Sequence, residues 1–143
     1  MKLVIPGTLP SLNEMINYSK TNKFKYVKMK DDAIATVSWL AKKQLGNVKI
    51  KKADFIITWY CPNRRKDKDN ISAGQKYIFD GLQDAGILSN DGWDQVNSFH
   101  HRFEIDKENP RVEVEIREVE GNAATVDSHK RNQKIRGEKR KTG

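Results

Sequence analysis

Asp67 and Asp69 stand one residue apart in the stretch NRRKDKDNISAGQK, crowded by Arg64, Arg65, Lys66 and Lys68. Clustered carboxylates are hard oxygen donors, the kind that Mg²⁺, or Mn²⁺ in its place, accepts together with water. An ion held there lowers the pKa of bound water and stabilises the leaving oxygen of a phosphodiester. The surrounding cations would hold flanking phosphates. Lys76, further along, could stabilise charge on the transition state or position the water. The same residues also have a plainer use. Asp-x-Asp is a common tripeptide, Asp69 or Asn70 could cap a helix, and Lys76 with Asp80 is spaced for an exposed ion pair one helical turn apart.

NISAGQKYIFDGLQDAG predicts a helix closed by Gly86. At about 100° per residue, Ile71, Ile78, Leu82 and Ala85 fall on one stripe, facing a sheet, while Asp69, Lys76 and Asp80 share the opposite one. Asp67 precedes the helix, and Asp91 follows it in the turn Asn90-Asp91-Gly92. The helix keeps its ends apart. Asp91 therefore reaches Asp67 and Asp69 only if the chain doubles back and the next strand pairs with the preceding one, its start near that strand's end.

The remaining elements frame these residues. Lys2–Ile5 reads as a short strand ended by Pro6 and Gly7, and Asp54–Tyr60 has strong strand composition. TLPSLNEMINYSKTNKFKYVKMK reads as a long basic connection. Its Tyr18, Phe24 and Tyr26 among lysines suit either nucleic-acid contact or a loop pinned to the core. DDAIATVSWLAKKQLG predicts a helix capped by Asp31 or Asp32, with Ile34, Val37 and Ala41 recurring at helical spacing and Gly46 as its stop. VNSFHHRFEI and RVEVEIREV alternate as strands and are expected to form an antiparallel pair through DKENP. The sum is an α+β domain with a mixed, mostly antiparallel sheet and two main helices.

With 143 residues the chain is one domain by length. Its net charge of +8 calls for an anionic partner, of which nucleic acid is the commonest. The single cysteine, Cys61, excludes an internal disulfide and a cysteine zinc site, and a small buried filler is its expected role. No apolar run is long enough to span a bilayer and the apolar stretch in MKLVIPGTLPSLN is too short for a secretory signal, so the expected location is cytoplasmic. From about Glu120 apolar residues almost vanish, and seven Lys or Arg stand against three acids. The domain is therefore expected over residues 1–118, followed by a flexible basic tail over 119–143. His100 and His101 point to opposite faces of a strand and cannot readily share a metal; one is expected outward near DNA and one buried, with His129 solvated in the tail. Trp39, Trp59 and Trp93 are expected in the core or at a dimer contact, Trp93 being the exception to test because it follows the acidic turn.

The ordered set Asp67-Lys68-Asp69-Asn70, Lys76, Asp80-Gly81-Leu82, Gly86-Ile87 and Asn90-Asp91 resembles the RusA family of Holliday junction resolvases, particularly its phage and prophage members. IPGTLPSLNE is similar to the family's opening strand and loop, and the resemblance covers about Met1 to Glu118. It implies a homodimeric, Mg²⁺-dependent endonuclease that cuts opposed strands of a four-way DNA junction, in DNA recombination and repair. Carried over, Asp67, Asp69 and Asp91 are the metal-binding acids and Lys76 the catalytic lysine. Two-fold symmetry suits a junction that offers two equivalent strands. In the bacterial pattern the lysine stands four residues after the second Asp; here Lys76 is seven after Asp69, on the same helical face. Asp91 is preferred as third acid, with Asp94 in reserve because both precede Gln95-Val96. The alternatives are a noncatalytic DNA-binding protein using the same basic surface, and a nuclease of broader taste for branched DNA. The acids separate the first of these, since without metal they only repel phosphate.

Overall fold

The computed structural model describes residues 1–119. The basic tail beyond Val119, with His129, lies outside the described residues. Val119 itself donates its backbone N–H to Lys52 O at 2.9 Å.

The chain runs β1 (Lys2–Pro6), α1 (Leu12–Thr21), α2 (Lys23–Leu45), β2 (Ala53–Cys61), α3 (Lys68–Ser72), α4 (Gln75–Asp84), β3 (Val96–Ile105) and β4 (Arg111–Glu118). The four strands form one sheet in the order β1-β4-β2-β3. β4 pairs antiparallel with both β1 and β2, and β3 pairs parallel with β2. The fold class is therefore α+β with a mixed, mostly antiparallel sheet, as expected. Alternate residues of the strands (Leu3 and Ile5; Phe55, Ile57 and Trp59; Val112, Val114 and Ile116) join Val37 and Ala41 of α2 and Ile78, Phe79 and Leu82 of α4 in a single buried core. The core-facing stripe expected for the second helix is present, with Ile71 and Ala85 half-buried at its margins.

Four expectations are corrected. β3 and β4 are not neighbours. β4 carries a row of fully buried residues and takes an interior place, whereas β3 leaves Phe99 and Ile105 half-exposed and forms the sheet edge. The DKENP segment instead crosses the end of β2, where Asp106 N–H donates to Cys61 O at 2.8 Å, and Arg111 clasps Asp106 at 2.8 Å. The long basic connection is helical. Ser11 caps α1 and exchanges the reciprocal hydrogen bonds of a capping box with Glu14. Asn22, not Asp31 or Asp32, caps α2, which begins at Lys23. The helix after the acidic turn is split, since Ala73 and Gly74 make tighter i to i+3 contacts and separate α3 from α4.

Trp59 is in the core, but Trp39 is 60% exposed and Trp93 96% exposed, so neither belongs to it. Cys61 is buried, as expected, and burial pushes its thiol pKa up. Gln44 of α2 donates to Val4 O and accepts from Val4 N–H, both at 2.8 Å, and so occupies part of β1's open edge. No helix of the described residues is long and apolar enough to cross a membrane.

Candidate active site

Asp67 and Asp69 lie just past the C-terminal end of β2, where the chain turns into α3. Asp67 is the N-cap of α3 by backbone position; its main-chain oxygen accepts from Asn70 and Ile71, while its carboxylate makes no capping bond. Both aspartates are exposed. Among the described residues neither forms an ion pair, although four cations share their turn. The two acids open onto a groove of about 820 Å³ whose walls include Arg64, Lys66, Lys68, Phe103 and Glu104. Lys68 Nζ sits 5.5 Å from the centre of the Phe103 ring, a cation–π distance.

Asn70 is the one buried residue of α3. Its Oδ1 accepts from Asn13 N–H at 2.9 Å, which ties the first turn of α1 to the acidic turn. Glu14 of α1 adds a second tie, 3.6 Å from Lys66 Nζ. Burial raises the Glu14 carboxyl pKa, but bonds from Ser11 and the Lys66 charge outweigh it and leave the group below its ordinary value. Neither tie was expected, because α1 was expected to be a loop. Asn70 serves α1 rather than its own helix.

Lys76 projects from the first turn of α4 into solvent. Its Nζ is 3.3 Å from Asp80 Oδ1 and 3.8 Å from Asp91 Oδ2. The expected route, a following strand whose start lies near the end of β2 and so carries Asp91 to Asp67 and Asp69, is not the one taken; Asp91 stands against Lys76 instead. β3 runs parallel to β2, so its start lies beside the start of β2, with Ala53 opposite Val96. Asp91, in the turn before β3, meets Lys76 of α4, which also reaches Asp80. Asp94, the reserve residue, is exposed. Among the described residues no three His, Cys, Asp or Glu side chains stand together closely enough to hold a metal ion. Asp67, Asp69 and Asp91 are thus not gathered into one coordination shell. The donor chemistry still fits a hard divalent cation, because the Asp67 and Asp69 carboxylates are exposed and, among the described residues, form no ion pair.

The matching family model is Endodeoxyribonuclease RusA, which covers residues 9–117. That is well over half of the chain. The chain belongs to the RusA endodeoxyribonuclease family. No curated protein matches it. The family match takes in α1 through β4 almost entirely, and with them Asp67, Asp69, Lys76 and Asp91. It also takes in His100 and His101, of which one was expected outward and one buried.

The two histidines divide between the faces of β3. His100 is exposed, and His101 is half-buried against the helical layer. Trp59 Nε1–H donates to His101 Nδ1 at 2.9 Å, and His101 Nε2 is 2.9 Å from Gln75 Oε1. Burial first, and the nearby His100 second, hold the His101 pKa below its ordinary value.

Proposed function

We propose that this chain is a divalent-metal-dependent endonuclease that resolves four-way DNA junctions by paired symmetric nicks, acting as a homodimer in the cytoplasm. The observation that carries the proposal is Lys76 held at the mouth of α4 against Asp80 and Asp91, within a chain of the RusA endodeoxyribonuclease family. Asp67 and Asp69 would hold Mg²⁺, or Mn²⁺ in its place, and Asp91, now against Lys76, would complete the set by turning toward them when metal and DNA bind. Bound there, the ion supplies a more acidic water and shields charge on the phosphate. Lys76 brings a flexible cation toward the scissile phosphate, where it favours the more negative transition state. Its contact with Asp91 favours Asp91 over Asp94 as the third acid.

Arg64, Arg65, Lys66 and Lys68 line the approach and would contact phosphates on either side of the cut. Such contacts position the backbone and carry no sequence information. A homodimer presents two equivalent sites to two equivalent strands, which is the symmetry that paired nicks require.

The test is cleavage of a labelled four-way junction, beside linear duplex and a flap, with Mg²⁺ and with chelator. Wild type is expected to nick the junction symmetrically only when metal is present. Asp67→Asn and Asp69→Asn are each expected to abolish cutting while binding the junction more tightly, since each removes a charge that repels phosphate. Tight junction binding by wild type without cutting in Mg²⁺ or Mn²⁺ would leave a noncatalytic DNA-binding protein. Equal cutting of flap and junction would replace a resolvase with a general branch nuclease.

A further inference from the structure

We infer that His101 is a positioning residue: with Trp59 and Gln75 it clamps the start of α4 onto the sheet and so sets where Lys76 stands. The inference rests on the junction-endonuclease reading for its kinetic consequence, but its structural content is independent of that reading.

The hydrogen-bond chemistry leaves one arrangement. Indole Nε1 can only donate, so His101 Nδ1, 2.9 Å away, must accept. A neutral imidazole has one donor and one acceptor, so its proton is on Nε2. Nε2–H then requires an acceptor, and Gln75 presents Oε1 at 2.9 Å. The chain of donors runs in one direction, from the buried tryptophan of β2, through β3, to the first residue of α4. A second proton on the ring would have to sit on Nδ1, facing the indole N–H. The ring is also held sideways, stacked at 6.0 Å on Trp59 and 6.3 Å on Phe103, with Phe99 edge-on at 5.7 Å.

Trp59 grips the same point a second way. A Cβ at Gly74 would stand 3.1 Å from Leu9 Cβ and 3.2 Å from the rim of the Trp59 ring. The backbone of Gly74 therefore lies directly on the indole. This is the break between α3 and α4, where α4 takes its direction. Gly74 is pressed against Trp59, Gln75 is hydrogen-bonded to it through His101, and Lys76 comes next. The lysine's own side chain is long and exposed, so what the clamp fixes is the origin from which it reaches Asp80 and Asp91.

A proton on His101 would break this arrangement. Burial of the ring against Trp59 and Gln75 disfavours the charge, and the neighbouring His100 on β3 opposes it too.

His101→Phe keeps the aromatic packing and removes both hydrogen bonds. Gln75→Leu removes the outer bond alone and serves if the first variant folds poorly. Each is expected to lower single-turnover junction cleavage about 10- to 100-fold, the cost of a small misplacement of a catalytic group, with junction affinity within about twofold. The two together are expected to be no worse than one, and His101→Phe on a Lys76→Ala background is expected to add nothing, because residues acting through one group are not additive. Gln75→Glu retains the acceptor and is expected to retain most of the rate. The acid limb of the wild-type pH–rate profile is expected to move in His101→Phe. Independently of activity, nitrogen NMR is expected to show His101 protonated on Nε2 alone near neutral pH, and the Trp59 indole proton is expected to exchange faster in His101→Phe. Wild-type cleavage by His101→Phe, full additivity with Lys76→Ala, or a proton on Nδ1 would each overturn the inference. If wild type cuts no junction, the functional reading fails, and the tautomer and exchange measurements still decide the clamp.

Discussion

Gly81 lies in the middle of α4, where glycine costs a helix about 1 kcal/mol relative to alanine. By propensity alone, Gly81→Ala should stabilise the protein. The packing says otherwise. A Cβ at Gly81 would stand 2.4 Å from Val37 Cγ1, 2.5 Å from Val37 Cβ and 3.2 Å from Ser38 N. Carbon atoms in contact settle near 3.5–4.0 Å, so the two helices would have to separate by roughly 1 Å. A rotamer change at Val37 can remove the first clash but not the second, because Cβ is fixed to the backbone of α2. Overpacking of this kind costs about 1–3 kcal/mol and occasionally more, and the clash with a fixed atom places this site toward the upper end. After the propensity gain, a net loss of about 1–2 kcal/mol is expected, a fall in Tm of several degrees for a domain of this size. Urea unfolding of wild type and Gly81→Ala would measure it, with the slope unchanged if two-state unfolding holds. Val37→Ala should not rescue the variant fully, since its Cβ remains. A Gly81→Ala protein as stable as wild type, or more so, would refute the reasoning and show that α2 and α4 slide freely past one another.

Asn70→Ala removes the acceptor for Asn13 N–H, and leaving a partly buried donor unpaired is expected to cost about 1–3 kcal/mol. Asn70→Asp keeps that acceptor and should recover most of the loss in the same urea titration, while hydrogen exchange should show α1 opening in the alanine variant only. His101 gives stability a pH dependence. Its folded pKa lies below the free value of about 6.5, so the unfolded chain takes up the proton first. The stabilisation is present above that pH and is lost as pH falls from there toward the folded value. Unfolding measured from pH 8 to 5 should therefore show a decline that is shallower in His101→Phe.

Alternation in VNSFHHRFEI and RVEVEIREV, with the composition and breakers of KLVIPG and DFIITWY, was enough to locate all four strands, and the apolar stripe of the second helix pointed to its buried face. Alternation says that a segment is a strand but not which strand lies beside it. β4 takes the interior place because its apolar row is fully covered, a fact about neighbours rather than about RVEVEIREV itself. α1 was missed because it buries none of its residues and its apolar residues, Leu12, Met15 and Ile16, give out after one turn; the clearest legible signal was SLNE, a capping box in plain letters. The split between α3 and α4 arises from Gly74 lying on Trp59, residues fifteen apart in the chain. In the candidate site, the acids and Lys76 could be read from their types and spacing. Their grouping could not, because the parallel register of β2 and β3 decides which acid meets the lysine. That one of His100 and His101 faces inward was legible, but its partners, Trp59 and Gln75, were not.

The position of β4 has a consequence for how the protein is made. The last strand of the sheet in sequence is second in space, inserted between β1 and β2, with Lys2 facing Glu115 and Ala53 facing Glu118. Synthesis proceeds from the N-terminus at roughly 5–20 residues per second. β1 therefore waits without a partner while every other element is built. Until residues Arg111–Glu118 emerge, β2 has only β3 beside it and the apolar faces of β1 and β2 are open along the slot that β4 will fill. The nascent chain already carries every residue proposed for cutting DNA, yet lacks the strand that joins the two halves of its sheet. Activity should appear abruptly, once residues Arg111–Glu118 have emerged.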